Sequence, residues 1–265
     1  LTFTPTQASR RTAIPSPATA SADWGVAEEV PVEIGFNGQA WTVMMATPTH
    51  IEDLAAGLAI TEGAITNGTD IESIDVQQYP EGITADIRLP AELLKPERIR
   101  RRSLDGRTGC GLCGVETLAE LHRPAPALKP SVHIPTTAVR RAFNELPDHQ
   151  PLNAETRSVH AAAWCSTQGD IMIVREDVGR HNALDKLAGA RLGKSEPDDA
   201  GFVILSSRCS FELVFKAARM RASLLASLSA PTGLALDLAK ALNLDIATVG
   251  ASNEIIIFPA ETTHG

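Results

Sequence analysis

The second half of the chain alternates between two kinds of segment, and that alternation leaves few folds open. Ala161 to Thr167 and Asp170 to Val174 read as strands, and Arg180 to Ala190 reads as a helix. Phe202 to Ser206 is again strand-like, Ser210 to Met220 helical and Ser223 to Leu228 strand-like. Pro231 to Leu242 makes a helix with its proline near the first turn, and Asp245 to Val249 and Glu254 to Phe258 close the series. Strands alternating with helices of this length predict an α/β fold, a largely parallel sheet covered by helices on both faces.

The first half reads differently. Val30 to Phe36 and Gln39 to Met45 are strand-like and joined by Asn37-Gly38, the strongest short hairpin signal. Thr49-His50-Ile51-Glu52 after Pro48 predicts a capping box. The helix it opens sets Ile51, Leu54, Ala55 and Leu58 on one face and ends near Gly63. Ile71 to Gln78 and Ile83 to Leu89 predict a second strand pair that turns at Pro80-Glu81-Gly82, and Pro96 to Ser103 predicts a charged helix. Together these elements predict a smaller α+β domain over 29–123, with a cysteine loop at 106–114. Four prolines (Pro124, Pro126, Pro130, Pro135) mark 124–135 as a linker. Thr136 then caps a helix to Leu146 and begins the α/β domain, 136–265.

Composition narrows the class. With 43% hydrophobic and 21% charged residues the chain has the make-up of a folded protein. A net charge of -8 argues against a general nucleic-acid binder, which needs a basic face. The run Arg98, Arg100, Arg101 and Arg102 reads as a solvated helix face. No apolar run reaches membrane-spanning length, so no membrane partner is expected. Arg10-Arg11 is followed by Thr12 to Asp23, rich in Ala, Pro, Ser and Thr and lacking the apolar stretch of a twin-arginine signal. That stretch predicts a disordered tail over residues 1–28, with order starting near Val30. Four cysteines in 265 residues make no disulfide scaffold, so the expected setting is the cytoplasm, with thiols reduced.

Chemistry concentrates in Arg107-Thr108-Gly109-Cys110-Gly111-Leu112-Cys113-Gly114-Val115-Glu116. Two thiols three positions apart among three glycines make a loop whose sulfurs can reach a partner. The loop enters an apparent helix, Val115 to Leu121, whose N-terminal dipole favours the thiolate, as does Arg107. A zinc site needs a second pair of ligands, and no second CxxC or HxxxH is present. A thioredoxin-type dithiol should follow the first strand of a βαβ unit, whereas this pair follows a charged helix. A sulfur-carrying thiol with an assisting neighbour remains. Cys165 and Cys209 lie within apparent secondary structure and read as buried small hydrophobes.

Three further segments fall where strands end, the usual ligand crevice of an open α/β sheet. Glu176-Asp177-Val178-Gly179-Arg180-His181-Asn182 opens a helix, whose N-terminal amides favour phosphate while Arg180 and His181 add charge. The bland alternative is a capped helix with surface charges. Ser206-Ser207-Arg208-Cys209-Ser210 repeats the placement, with small residues such as Ser207 allowing close approach and Arg208 offering a planar fork. Lys216 is ambiguous. Gly250-Ala251-Ser252-Asn253 is a place to hydrogen-bond a purine, or a plain turn. His160-Ala161-Ala162 tests a zinc deaminase reading: Ala162 stands where the catalytic Glu belongs, and Cys209 has no partner three residues on, so no zinc is expected.

Taken together, these segments resemble the formate dehydrogenase accessory sulfurtransferase family, FdhD. The resemblance rests on Phe36-Asn37-Gly38, on Met44-Met45-Ala46-Thr47-Pro48 with Asp53-Leu54-Ala55-Ala56-Gly57, and on Gly109 to Glu116. It extends through Glu176-Asp177-Val178-Gly179-Arg180-His181-Asn182-Ala183-Leu184-Asp185-Lys186 and ends with Ser229-Ala230-Pro231-Thr232. It implies a C-terminal αβα layered domain of the cytidine-deaminase kind, without zinc, and a homodimer. It also implies a job: to take sulfur from a cysteine desulfurase as a persulfide on Cys110, with Cys113 assisting. That sulfur would go to the molybdenum of bis-molybdopterin guanine dinucleotide (Mo-bis-MGD), the cofactor destined for formate dehydrogenase. The guanine, for which GDP is a mimic, would sit near Ala251, Ser252, Asn253 and Glu254. A chaperone that holds the molybdenum cofactor without moving sulfur is the alternative, and a dithiol reductase comes third. The chain departs from the family pattern at Arg157-Ser158-Val159, at Ser206-Ser207-Arg208 and in a shortened final loop. In that loop Glu254 stands where a basic residue is common, and its carboxylate would repel a phosphate.

Overall fold

The computed structural model describes residues 8–13, 22–94, 128, 132–192 and 200–260. The Asn37-Gly38 dipeptide does what its residues permit. Both take positive φ (48° and 82°), the geometry of a type I′ turn, and join β3 (Val30–Phe36) to β4 (Gln39–Ala46). With β5 (Ser73–Tyr79) and β6 (Gly82–Arg88) they form a four-stranded sheet of order β4-β3-β6-β5. Helix α1 (Ile51–Thr61) covers one face, burying Leu54, Ala55 and Leu58 against Val32, Ile34 and Ile87. Phe36 and Trp41 meet within this core with ring centroids 5.1 Å apart. The capping-box expectation fails here. His50 occupies the N-cap in a left-handed conformation (φ 52°) with no side-chain cap, because the chain turns sharply after Thr47.

The second unit is built on a six-stranded sheet of order β12-β11-β10-β9-β7-β8. Its strands are β7 (His160–Ser166), β8 (Ile171–Asp177), β9 (Gly201–Arg208), β10 (Leu224–Ser229), β11 (Asp245–Val249) and β12 (Ile255–Phe258). Helices α4 (Arg180–Leu192), α5 (Phe211–Arg219) and α6 (Gly233–Leu242) cover one face; α2 (Thr136–Glu145) covers the other. The αβα layering is as expected, but the largely parallel sheet is not. Only β9, β10 and β11 run parallel, while β7 is antiparallel to both β8 and β9, and β12 is antiparallel to β11. A parallel crossover needs a dozen or more residues, and the links 167–170 and 250–254 are far too short for one.

Other departures are local. Strands β1 (Ala8–Ala13) and β2 (Ala22–Ala27) pair antiparallel where composition predicts a disordered tail. They are held against α3 (Pro151–Thr156), a helix the sequence reading did not expect, with Arg10 3.3 Å from Glu155 and Arg157 over the Trp24 ring. Pro135, not Thr136, is the N-cap of α2. Of the predicted linker 124–135 only Leu128 and 132–135 are described; the Leu128 N–H donates to Leu242 O at 2.9 Å, pinning that point to the end of α6. The cysteine loop and the helices expected at 96–103 and 115–121 lie outside the described residues.

The two units join where α1 crosses α4. Gly57 and Gly189 let the backbones touch: a Cβ at Gly57 would lie 1.7 Å from Asp185 O, and one at Gly189 2.0 Å from Asp53 O. Nothing larger than glycine fits at either point.

Candidate functional site

Strand directions decide which side chains can share a site. Because β7 and β8 are antiparallel neighbours with His160 opposite Asp177, and β7 is antiparallel to β9, one sheet edge collects several segments. Asp177 and the N-terminus of α4 lie there, as do His160, Ser207 and Arg208. The ends of β10 and β11 and the N-termini of α5 and α6 complete the edge. Every predicted crevice residue therefore falls on this edge, spread along it. Four strand-to-strand steps, about 19 Å, separate the end of β8 from the end of β11.

Much of the Glu176–Lys186 motif is structural. Asp177 Oδ2 is 2.6 Å from Lys186 Nζ, and neither side chain is exposed at all. Asp177 also accepts from Thr47 N (3.0 Å), Gly179 N (2.8 Å) and Asn182 Nδ2 (3.0 Å). Lys186 Nζ donates to Thr47 O, Val178 N to Thr47 Oγ1 and Asn182 Nδ2 to Met45 O. A second buried knot lies deeper in the interface, where Lys216 Nζ donates to Asp185, Glu62 and Thr61 at 2.9–3.0 Å. These acceptors hold the Lys216 ammonium above its usual range although burial opposes them. Glu176 accepts the Leu152 and Asn153 N–H groups at the start of α3. For Asp177, Asn182, Asp185, Lys186 and Lys216, the polar pattern is the bolt between the two units.

Arg180 and His181 remain for a ligand. Arg180 Nε, His181 Nε2 and Ser210 Oγ are each buried without a hydrogen-bond partner, at the adjoining N-termini of α4 and α5. Buried polar atoms of this kind normally have partners; His181 and Ser210 lie toward Glu212, which leaves Arg180 Nε as the unmet donor of the crevice. Glu212 Oε2 lies 3.9 Å from His181 Nε2, within ion-pair reach but too long for a hydrogen bond. Burial pushes the Glu212 carboxyl up, but His181, its own N–H and the Ser210 hydroxyl outweigh that and hold it below the usual range, so His181 and Ser210 both face this carboxylate. His160 sits lower than ordinary imidazole, by burial first and then by Arg180. The sequence reading named Ser210 only as the end of a candidate segment and missed Glu212; the available signal was a serine at a helix N-cap followed by an acid in the first turn.

The other predicted residues divide. Ser207 is buried and its Oγ donates to Arg208 O, so it shapes the strand end. Arg208 is exposed and pairs in register with Ser229 of β10. Ala251, Ser252, Asn253 and Glu254 are exposed in a closed turn. Asn253 takes φ 63°, Asn253 N donates to Gly250 O, Gly250 N donates to Glu254 O, and Arg140 donates to Asn253 O. Cys110 and Cys113 lie outside the described residues. Among the described residues, no group of three or more His, Cys, Asp or Glu side chains is placed to hold a metal ion. Nor is any described helix long and apolar enough to cross a membrane.

Cys165 and Cys209 are completely buried, and burial pushes both thiols up to about 12. Both should resist iodoacetamide in the folded protein at pH 7.5 and react on unfolding, as peptide mapping will show. Labelling of either in the native state would contradict this burial.

Comparison with known proteins gives a consistent picture. The model of the FdhD/NarQ family matches residues 27–263. The chain is 45% identical over 236 residues to a protein of Variovorax paradoxus named sulfur carrier protein FdhD, covering 89% of this chain and 84% of that one. A protein of the same name from Xanthomonas euvesicatoria is 43% identical over 234 residues, covering 88% and 83%. In fold the chain is similar to the crystal structure of a Desulfotalea psychrophila protein described as a formate dehydrogenase accessory protein. That match has a TM-score of 0.71 and 23% identity, covering 95% of this chain and 96% of that one.

Proposed function

Because this chain belongs to the FdhD/NarQ family, we propose that it is a cytoplasmic sulfurtransferase that carries sulfur from a cysteine desulfurase to Mo-bis-MGD, and so serves formate dehydrogenase. The observation that carries this reading is the family match over residues 27–263, which spans the Cys110-x-x-Cys113 motif and the crevice alike. Relatives above 40% identity bear the name sulfur carrier protein.

The transfer is thiol exchange. The Cys110 thiolate attacks the terminal sulfur of the donor's persulfide; the donor S–S bond breaks and its cysteine leaves as thiolate. Cys110 now holds the persulfide, with no net oxidation, and Cys113 assists or relays. For the transfer the Cys113 thiolate attacks the Cys110 sulfur, and the outer sulfur leaves as hydrosulfide for the molybdenum of the cofactor, which is substrate here. The two electrons come from the Cys110–Cys113 disulfide that forms and is then reduced by a cellular thiol.

The cofactor's phosphates fit the crevice by charge and by unmet donors. Arg180 offers an unused donor, the α4, α5 and α6 N-termini offer amides, and Arg208 offers an exposed guanidinium. The span of about 19 Å to Ala251–Glu254 suits an extended dinucleotide better than a mononucleotide. Two copies of the chain would set two such edges. Replacing Arg208 with Ala is expected to weaken GDP binding roughly tenfold in calorimetry, the worth of one charged hydrogen bond. Unchanged affinity would remove Arg208 from the site. The chaperone reading would gain if a Cys110→Ser protein still matured formate dehydrogenase.

A further inference from the structure

The segment between β4 and α1 belongs to the first unit but turns its polar groups toward the second. Thr47, the residue after β4, is completely buried. Its N–H donates to Asp177 Oδ2 at 3.0 Å, its carbonyl accepts from Lys186 Nζ at 2.8 Å, and its hydroxyl accepts from Val178 N at 3.1 Å. All three partners lie 130 residues or more farther along the chain. Packing alone does not call for a hydroxyl here, since valine fills almost the same space. What calls for the oxygen is the Val178 N–H.

The stretch that receives these bonds is short and forms a wall of the crevice. Residues 177–179 join the end of β8 to the start of α4, and Arg180 and His181 follow at once. Gly179, whose carbonyl takes the first helical hydrogen bond from Ala183 N, has no side chain to cap the helix. Its N–H goes to Asp177 Oδ1, which also accepts from Asn182 Nδ2. Asp177 is held in turn by Thr47 N–H and by Lys186. The turn that sets the direction of Arg180 is therefore pinned from the first unit twice, at Asp177 and at Val178. Arg180 Nε is the buried donor there without a partner. A binding group of this kind works only if its supports hold it within about 0.5 Å of the productive position.

We propose that Thr47 is a positioning residue of the crevice: its hydroxyl fixes the turn at Val178, and through that turn it aims Arg180 and the N-terminus of α4 at the cofactor's phosphates. This rests on the reading of the crevice as the cofactor site given above. Thr47 has no solvent access, so it meets no ligand itself and acts through Arg180. The consequence is a linkage. Ligand binding on the second unit depends on how the first unit is docked, and a ligand in the crevice tightens the contact between the units in return. Asp177 and Lys186 stiffen the same stretch but also carry the union of the two units. Removing the Thr47 hydroxyl separates positioning from attachment.

The test uses GDP as the probe and measures its dissociation constant by calorimetry on the full chain. Thr47→Val should weaken GDP about tenfold, the scale of one charged hydrogen bond, and Thr47→Ser, which restores the acceptor, should return it to within about threefold of wild type. Ile34→Val, in the core of the four-stranded sheet, is the stability control: it lowers the melting temperature and should leave GDP within about twofold. Because Thr47 acts through Arg180, its effect should shrink to about threefold or less in an Arg180→Ala background and stay about tenfold in Arg208→Ala. In wild type, which needs no variant to fold, GDP should slow amide exchange at Thr47 and leave β6 of the same unit unchanged. Wild-type affinity in Thr47→Val, or no recovery in Thr47→Ser, would overturn the proposal. An undiminished effect in Arg180→Ala, an equal loss in Ile34→Val or unaltered exchange at Thr47 would also overturn it, leaving Thr47 a contributor to stability alone. Wild type that bound no GDP would defeat the crevice reading and the proposal with it.

Discussion

Replacing Lys186 with Met is expected to destabilise the protein by about 3–5 kcal/mol, the cost of stranding a buried charge. Asp177 would keep its three N–H donors but lose the ammonium at 2.6 Å, in a site with no solvent access. Burial already pushes the Lys186 ammonium below its usual range against the pull of Asp177, so the pair is held together at a desolvation cost. The double variant Lys186→Met/Asp177→Asn should recover part of the loss, because the unpaired carboxylate is gone. Urea unfolding measures both. A single-variant loss under about 1 kcal/mol would mean that the bolt between the units is not where the structure puts it.

Gly57→Ala should be similarly damaging, against the usual sign. In an open helix this change stabilises by about 1 kcal/mol. Here the added methyl carbon would lie 1.7 Å from Asp185 O and 2.7 Å from Gly189 N, both main-chain atoms that no rotamer change can move. Helices α1 and α4 must separate, opening the contact that joins the two units. The expected cost is about 3 kcal/mol, at the top of the range for overpacking. Gly233→Ala in the first turn of α6, where nothing lies within 4 Å, is the control and should be neutral or stabilising by up to about 1 kcal/mol. Equal behaviour of the two variants in thermal unfolding would contradict the crossing geometry.

Local signals were legible where local physics decides. Asn37-Gly38 needed no tertiary help to announce its turn, and the periodic segments from His160 to Phe258 appear as elements close to where they were read. The sheet's direction was legible too, in the short links at 167–170 and 250–254, which override what strand-helix alternation implies. The role of the Glu176–Lys186 motif was not legible. Its polar residues look like a ligand cluster until Thr47, 130 residues earlier, is seen to satisfy Asp177. The same long-range packing lets Ala8–Ala13 and Ala22–Ala27 form strands that their composition does not favour. Arg180, His181 and Arg208, read from the sequence as lying at strand ends, do share one edge of the sheet, whereas Glu212 was not legible, because its meaning depends on two helix ends meeting.

The central claim is that Cys110 carries sulfur, and it is tested most directly by intact-protein mass after incubation with a cysteine desulfurase and free cysteine. Wild type should gain the mass of one sulfur atom, released by added reductant. Cys110→Ala should gain none, while Cys113→Ala should still load. If wild type gained nothing under conditions that load a known acceptor, or if Cys110→Ala loaded as well as wild type, the account would be contradicted.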